Sequence, residues 1–277
     1  MNLFYPDHLN ILFPQWQGSG FSNTLFHGAK KIEHYFSDIQ FTEIAVPENQ
    51  NLTISNHILG YDAIVEQYKA AQKSILEIMP HTIFTLGGDC GVEIAPVSYL
   101  NKHYNKNMAL VWLDAHGDLN TPKSSPSKHF HGMPLRTLCG ESDPDIEKAC
   151  ISILETEQVI LAGVREFDPP ELDYIQRNSM AMVSVETLGE KPDDLSEKII
   201  NMGFNNVYLH IDLDVLDPVS YQNSKHPTPR GLLFETLIKV ISNIADKLNV
   251  VGLSILEFVP HKNTGLKEIK TILDLFV

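Results

Sequence analysis

The sequence has few of the features that mark the more specialised classes of protein. Only three cysteines occur in 277 residues. That number is too small for a disulfide framework and is typical of a reducing cytosol. Lys and Arg number 21 against 35 Asp and Glu, for a formal net charge of −14, and no basic cluster stands out. This balance argues against nucleic acid and against an anionic membrane surface as partners.

Long apolar runs are missing as well. No uncharged run reaches the roughly 20 residues that a membrane-spanning helix needs. Residues 1–8 lack the basic and apolar regions of a signal peptide. We therefore expect a cytoplasmic protein with no membrane partner. Apolar side chains make up 43% of the chain, which is enough for a sizeable core.

Short apolar segments alternate with segments of helical spacing along the whole chain. Strands are predicted near 10–14, 41–46, 81–86, 108–113, 158–162, 181–185, 207–214 and 250–258. Helices are predicted near 23–35, 60–79, 92–103, 131–139, 171–177, 195–202, 231–247 and 266–276. This alternation predicts a single domain over residues 1–277, with a three-layer α/β/α fold around a doubly wound, mostly parallel sheet.

Two of the predicted strands end in residue types that bind metals. One leads into Asp114, His116 and Asp118, and the other carries Asp212 and Asp214. Carboxylates and imidazoles are ligands for hard or borderline divalent cations. Acidic residues after a strand can also cap the next helix, but two such clusters favour a metal site. Because a buried, unpaired carboxylate is very costly, we predict a metal centre there with two cations.

Other polar residues follow predicted strands in the same way. They are Asp89 and Cys90, the segment 165–168, and Glu257. In open α/β sheets, ligands bind beyond the carboxyl ends of the strands. The shared edge predicts that these residues and the two acidic clusters form one site.

Four motifs in order carry a resemblance to a known family. They are Gly-Gly-Asp-Cys at 87–90, Asp-Ala-His-Gly-Asp at 114–118, His-Gly-Met-Pro at 131–134 and His-Ile-Asp-Leu-Asp-Val-Leu-Asp-Pro at 210–218. With these motifs the chain resembles the ureohydrolase family of arginases, agmatinases and formimidoylglutamases. The resemblance implies a binuclear Mn²⁺ centre, whose bridging hydroxide attacks the carbon of a guanidino or formimino group. It also implies a homo-oligomer, either a trimer or a hexamer.

The resemblance assigns roles to the acidic motifs. Asp114 and Asp212 match the family's bridging carboxylates, and His116 and Asp214 match ligands of one cation. Asp118 matches a ligand of the other cation, with a free oxygen that receives the proton of the hydroxide. Paired cations lower the pKa of bound water and stabilise charge on a tetrahedral intermediate, which agrees with this assignment.

The resemblance also implies a proton relay and a substrate class. His131 matches the relay histidine, and an imidazole that titrates near neutrality suits protonation of a leaving amine; the alternative is a helix-start histidine without a role. Asn120 and Ser127 match the arginase positions that hold an α-carboxylate, and Asp168 and Glu171 match those that recognise an α-amino group. Agmatine has no carboxylate, so these residues favour an amino acid. An ordinary polar loop is the alternative.

Two positions depart from the family pattern. Cys90 stands where the family has a histidine, so one Mn²⁺ loses an imidazole and should bind more weakly. With a cysteine at this position, the chain is similar to a minor branch of the family that hydrolyses N-hydroxyarginine. Arginases place a guanidinium-binding Glu five residues after the Gly of a Gly-Leu pair. Counted from Gly231 that position is Thr236, while Glu235 is one residue short. Either the start of the helix is shifted, with Glu235 as the substrate ligand, or Thr236 faces the substrate and guanidinium recognition differs.

The leading hypothesis is therefore a Mn²⁺ amidinohydrolase that acts on a small guanidino amino acid, L-arginine or a relative such as N-hydroxy-L-arginine. Formimidoylglutamate or another guanidino acid is the alternative within the class. A catalytically impaired family member with a structural or regulatory role is a third reading, which Cys90 favours and the intact acidic motifs oppose.

Overall fold

The fold is described for residues 7–261 and 264–276 in a computed structural model. Its strands are β1 (His8–Phe13), β2 (Thr42–Glu43), β3 (Ile54–Ser55), β4 (Ile58–Leu59), β5 (Thr82–Gly87), β6 (Ala109–Leu113), β7 (Val159–Ala162), β8 (Ala181–Val183), β9 (Asn206–Asp212) and β10 (Asn249–Leu256). Its helices are α1 (Thr24–Tyr35), α2 (Tyr61–Ile78), α3 (Ile94–His103), α4 (Pro134–Leu138), α5 (Pro144–Glu147), α6 (Pro169–Arg177), α7 (Val185–Glu190), α8 (Asp194–Asn201), α9 (Phe234–Lys247) and α10 (Leu266–Leu273).

Eight strands form one sheet in the order β2-β1-β5-β10-β9-β6-β7-β8, and every neighbouring pair is parallel. β3 and β4 form a small separate antiparallel pair, which the sequence pattern did not predict. The predicted parallel α/β sheet is confirmed. Because β5, β10, β9 and β6 are neighbours, the turns that follow them meet at one edge.

Side chains on successive strand residues enter two separate cores. In β6, Leu110 and Trp112 pack in the core that includes α2, α3 and α6, whereas Val111 and Leu113 pack in the core that includes α1, α8, α9 and α10. Strand side chains alternate between faces, so a strand buried on both faces reads as a continuous apolar run. This explains the unbroken apolar run at 108–113 and confirms the three layers.

Several predicted boundaries shift for local reasons. The helix expected from Gly231 begins only at Phe234. The backbone N–H of Leu232 donates to the Val215 carbonyl at 2.9 Å, which holds the preceding residues against the end of β9. The strand expected over 181–185 stops at Val183 because the Ser184 hydroxyl caps α7. The short helices α5 and α7 were not predicted.

The signal-peptide prediction concerned residues 1–8, and residues 1–6 of that segment lie outside the described residues. Within the part of the chain that the structure describes, no helix combines the length and apolar character that crossing a membrane requires.

Candidate metal centre and active site

The turns after the four central strands bring the predicted polar residues together. The turn after β5 is held against β1, because the N–H of Gly88 donates to the Phe13 carbonyl at 2.9 Å. A Cβ on Gly88 would lie 1.8 Å from the Gln15 carbonyl oxygen, so this close approach requires glycine. The Gly88 carbonyl accepts from the Glu257 N–H at 2.8 Å. The turns after β5 and β10 are thereby fixed side by side.

Backbone donors aim the acidic side chains. Asp114 accepts from the N–H of His116 at 2.7 Å and from the Trp112 indole at 3.0 Å. Asp214 accepts from the N–H of Ala115 at 3.0 Å, which ties the end of β9 to the turn after β6. Asp118 has a φ of +50°, in the left-handed region that is costly for a residue with a side chain. This backbone conformation places its carboxylate with the others.

The donor atoms fall into overlapping clusters. The inner cluster consists of Cys90, Asp114, Asp118 and His210, and the outer cluster consists of Asp114, His116 and Asp214. Within each cluster one donor atom per residue lies within 4.8 Å of the others. Cys90, Asp212 and Glu257 form a third group of this kind, so Asp212 lies beside the inner cluster. The predicted two-strand centre therefore has donors for two cations that share Asp114.

The electrostatics of the site call for positive charge. Burial, then the charge of Asp114, raises the pKa of Asp118 well above its usual range. Burial, then Asp214, does the same for Asp212, and burial and Asp114 raise the pKa of Asp214 to about 7. Oδ2 of Asp118 is buried and accepts no hydrogen bond in the described structure. Divalent cations would supply both the charge and the missing partner, so the residues fit a metal centre.

Asp114 differs from the other carboxylates, because two imidazoles face it and lower its pKa. Burial opposes the shift, but hydrogen bonds from His116 and His210 hold the pKa of Asp114 well below its usual range. Burial likewise opposes the shift of His116, but Asp114 and Asp214 raise its pKa to about 12. The two carboxylates thereby favour the protonated form of His116, and a cation bound in the outer cluster would displace that proton.

Cys90 lies in the inner cluster, as the sequence predicts. Its thiol donates to Asp212 Oδ2 at 3.2 Å, and its Sγ is 3.9 Å from His210 Nε2. Burial, then the charge of Asp212, raises the pKa of the thiol well above its usual range. A cation in this cluster would have to displace the thiol proton before the sulfur could bind strongly.

Sequence analysis gave no role to His210. This side chain is fully buried on β9, with Nε2 3.4 Å from Asp114 Oδ2 and Nδ1 2.8 Å from Glu93 Oε1. A signal was present, because His210 is two residues before Asp212 and so shares its face of the strand. His226 was also missed; it lines the pocket from the loop after β9, where no periodic pattern marks it.

A pocket of about 250 Å³ opens onto the outer cluster. Of the predicted substrate ligands, Asn120, Ser127, Asp168 and Glu171 line it. Asn120 Nδ2 donates to Asp168 Oδ2 at 2.8 Å, which links the two predicted head-group positions. Both oxygens of Glu171 accept backbone N–H groups, from Leu119 and from Asp168, each at 2.8 Å. Glu171 therefore holds the pocket wall together and has less capacity left for a ligand.

Glu235 requires a correction. It is exposed in the first turn of α9 and is not among the residues that line the pocket, because the helix begins three residues later than predicted. Glu257, which sequence analysis placed only at the sheet edge, lies in the site instead. Its Oε1 is 3.2 Å from His131 Nδ1, and its Oε2 is buried with no hydrogen-bond partner in the described structure. Burial raises the pKa of Glu257 to about 8.

His131 lines the pocket as predicted, and its surroundings disfavour the protonated form of the ring. Burial and the neighbouring His116 lower the pKa of His131 to about 4. The His131 side chain keeps 19% of its surface exposed. A neutral imidazole in this place can pass a proton between pocket and solvent.

Comparisons with known proteins identify the family of the chain. The model of the arginase family matches residues 22–273. An arginase from Staphylococcus aureus (strain MRSA252) is 28% identical over 249 residues, which cover 86% of this chain and 82% of the relative.

Solved structures show the same fold. The arginase of Entamoeba histolytica, solved with L-ornithine, superposes with a TM-score of 0.86 at 20% identity and covers 97% of this chain and 96% of its own. A Bacillus subtilis arginase gives a TM-score of 0.81 at 22% identity, with 97% of each chain covered. Because the family model spans most of the sequence, the chain belongs to the arginase family of hydrolases, which act on amidino and guanidino bonds.

Proposed function

We propose that the protein is a Mn²⁺-dependent amidinohydrolase that cleaves the guanidino C–N bond of L-arginine or a close relative such as N-hydroxy-L-arginine. The observation that carries the proposal is the pair of clusters that share Asp114 beside a pocket with acidic walls. Among the described residues, none that lines this pocket is Lys or Arg. A cationic guanidino group is complementary to such a pocket.

The outer cluster suits Mn²⁺, because its donors are carboxylate oxygens and one imidazole nitrogen. The thiol of Cys90 is a softer ligand, so Mn²⁺ should bind more weakly to the inner cluster. When bound, a pair of divalent cations lowers the pKa of water and stabilises negative charge on the reacting carbon centre.

Asp118 accepts a proton in this proposal. One oxygen of its carboxylate, Oδ2, has no hydrogen-bond partner in the described structure and would bind the inner cation. The other oxygen is then left to take the proton of the attacking water.

Glu257 holds the guanidinium group. Its Oε2 is free to accept an N–H, and its proximity to His131 places the reacting carbon beside the proton relay. A bound guanidinium would also favour the ionised form of this carboxylate, whose pKa is raised to about 8 by burial in the free protein. His131 then carries a proton from solvent to the leaving amine.

The amino-acid end of the substrate contacts the opposite wall of the pocket. Asn120 and Ser127 offer an amide and a hydroxyl for an α-carboxylate, and Asp168 offers a carboxylate for an α-ammonium group. Asn120 and Asp168 are already hydrogen-bonded to each other, so the wall is formed before a ligand arrives. Recognition of both groups favours an amino acid over agmatine.

We further propose that residues 1–277 form one domain, because a single sheet carries all the site residues. As the family resemblance implies, we also propose a homo-oligomer, a trimer or a hexamer. Light scattering on purified protein measures the oligomeric state directly, and a monomeric mass would contradict this proposal.

A substrate panel tests the function. The Mn²⁺-loaded protein is assayed with L-arginine, N-hydroxy-L-arginine, agmatine and formimidoylglutamate. We expect kcat/KM for the better of the first two to exceed that for agmatine by about 10²-fold, since a polar wall left unpaired discriminates at least that strongly. Faster cleavage of formimidoylglutamate would replace the substrate assignment. No turnover of any compound by protein that retains its metal would favour the catalytically impaired reading.

A further inference from the structure

We propose that His210 is a ligand of the inner cluster, where with Cys90, Asp114 and Asp118 it holds one divalent cation of borderline softness, such as Zn²⁺ or Co²⁺, in preference to Mn²⁺. Since His210 serves the metal centre proposed above, the assignment rests on the proposed function. In this assignment His210 on β9 supplies the imidazole that the turn after β5 lacks, because that turn carries Cys90 instead of a histidine.

The donor atoms around His210 Nε2 have the spacing of ligands to one ion. Nε2 lies 3.4 Å from Asp114 Oδ2 and 3.9 Å from Cys90 Sγ. Ligands at 2.0–2.3 Å from a tetrahedral cation are about 3.3–3.8 Å apart. Asp118 contributes the fourth donor, and its Oδ2 lacks any other partner in the described structure. All four side chains are buried, so water cannot easily replace a missing ligand.

The other side of the ring is anchored in the manner of a metal-binding histidine. Nδ1 lies 2.8 Å from Glu93 Oε1, and Glu93 also accepts from the hydroxyl of Tyr208 at 2.6 Å and from the hydroxyl of Ser254. The ring stacks on Trp112 with centroids 3.4 Å apart and planes 6° from parallel. A carboxylate on the second nitrogen orients a histidine and raises its basicity as a ligand. Nε2 is therefore directed at the cluster.

The donor set of the inner cluster determines the preferred cation. Thiolate and imidazole favour zinc and related borderline cations, whereas carboxylate and carbonyl oxygens favour manganese. The outer cluster has no sulfur donor. Two cations of different softness can therefore occupy neighbouring sites that share Asp114.

Cobalt binding gives a readout that does not depend on activity, because a thiolate bound to Co²⁺ absorbs light by charge transfer. Metal-free wild type is titrated with Co²⁺ beside Cys90→Ser, His210→Asn and His226→Ala. His210→Asn keeps a side-chain amide that can hydrogen-bond Glu93 and removes Nε2. His226→Ala is the matched control, since it removes a pocket imidazole that belongs to neither cluster.

We expect the charge-transfer band in wild type and in His226→Ala, with similar affinities, and no band in Cys90→Ser. His210→Asn should weaken Co²⁺ binding at the band-bearing site by about 10²-fold or more, beyond the usual cost of losing an outer-sphere partner. Competition with Mn²⁺ should leave that band intact. Wild-type affinity and spectrum in His210→Asn, or displacement of the band by equimolar Mn²⁺, would overturn the inference.

A second variant separates ligation from packing. Adding Cys90→His to His210→Asn returns an imidazole to the cluster from the turn after β5, so it should regain most of the lost affinity without the charge-transfer band. No recovery would show that His210 only supports the fold. If wild type binds a single Co²⁺ without the band yet hydrolyses arginine, the inference fails and the proposed function stands. If wild type binds no cation, both fail.

Discussion

The inner and outer clusters share Asp114 but differ in how they are held. His210 of the inner cluster has no exposed side-chain surface and is anchored by Glu93, whereas the side chain of His116 in the outer cluster is 35% exposed. The outer ring contacts His226, another pocket residue, at 6.3 Å between centroids. The imidazole of the inner cluster is therefore part of the core, and the imidazole of the outer cluster faces the pocket.

This difference separates two requirements of a catalytic centre. A buried, hydrogen-bonded network defines one geometry and is costly to disturb. A partly exposed ligand can adjust when a substrate enters the pocket. We expect changes near His210 to affect stability together with metal binding, and changes near His116 to act mainly on turnover. The following predictions test this contrast, beginning with the residue that the clusters share.

Asp114→Ala should remove the contrast altogether. Both clusters lose a carboxylate, so neither should retain its cation after dialysis. Turnover should then fall by about 10³-fold or more, because the loss of a single preorganised group that stabilises charge already lowers kcat by up to about that factor. Elemental analysis and a urea assay measure the two effects. Asp145→Ala is the control, since that carboxylate is exposed and pairs with Lys148. Retention of two equivalents of metal in Asp114→Ala would contradict the shared ligand.

Glu257→Gln and Glu235→Gln test which of the two glutamates binds the guanidinium group. Glu257 has a free buried oxygen beside His131, so loss of its charge should lower kcat/KM by about 10²-fold, as expected for a polar site that loses its partner. Glu235 is exposed on α9, and its variant should match wild type within about twofold, as surface changes usually do. The reverse order of effects would restore the assignment made from sequence.

The contrast between Glu235 and Glu257 shows what sequence patterns could provide. Apolar runs that end in Asp or His define strand ends, and strand order alone brings Asp114 and Asp212 together, so the central site was predictable. The start of α9 depends on a hydrogen bond from Leu232 to the distant Val215, which no local spacing reveals. Counting along the chain therefore selected a glutamate that does not line the pocket.

His210 was missed for a related reason. Its role depends on Glu93, which lies 117 positions away in sequence and across the sheet. A histidine on a strand of continuous apolar character gives no sign by itself of whether it meets a carboxylate or a core side chain. Motif spacing predicted the ligands next to the turns, and the structure was needed for the ligand within the strand.

The pH dependence of stability should report the state of both clusters. Burial raises the pKa of Asp214 to about 7 and that of Glu257 to about 8, above the values of about 4 in an unfolded chain. Between pH 4 and pH 8 these two carboxyls bind more protons in the folded metal-free protein than in the unfolded chain, so their contribution to stability falls as pH rises. Burial lowers the pKa of His131 to about 4, which opposes this trend below pH 6.5, so the net fall is expected from pH 6.5 to pH 8. His116, whose pKa is raised to about 12 despite burial, adds to this fall above pH 6.5.

Thermal unfolding with a chelator, from pH 6.5 to pH 8, measures this effect. We expect the Tm of the metal-free protein to decrease by several degrees over that range. The metal-loaded protein is the control, and its Tm should change much less because its carboxylates are already ionised against the cations. A metal-free Tm that rises with pH would show that the buried carboxylates are paired by other groups.

The smallest expected effect comes from the anchor of the inner cluster. Tyr208→Phe removes the hydroxyl that donates to Glu93 at 2.6 Å, but Glu93 keeps its contacts with His210 and Ser254. Leaving one oxygen of a buried carboxylate without its donor costs about 1–3 kcal/mol. We therefore expect the Tm to fall by several degrees. The affinity of the inner cluster for its cation should fall by about threefold to tenfold, because Tyr208 contacts the partner of a ligand and not the ligand itself.

Tyr221→Phe is the matched control for this change. Tyr221 is also buried, but its hydroxyl donates to the Gly265 carbonyl at the longer distance of 3.4 Å, away from both clusters. A longer, neutral hydrogen bond contributes less free energy than a short bond to a carboxylate, so the control should lose less stability and no metal affinity. Equal losses of stability in the two variants, with metal affinity unchanged in both, would mean that the buried network supports only the core. The geometry of the inner cluster would then not depend on the hydrogen bond between Tyr208 and Glu93.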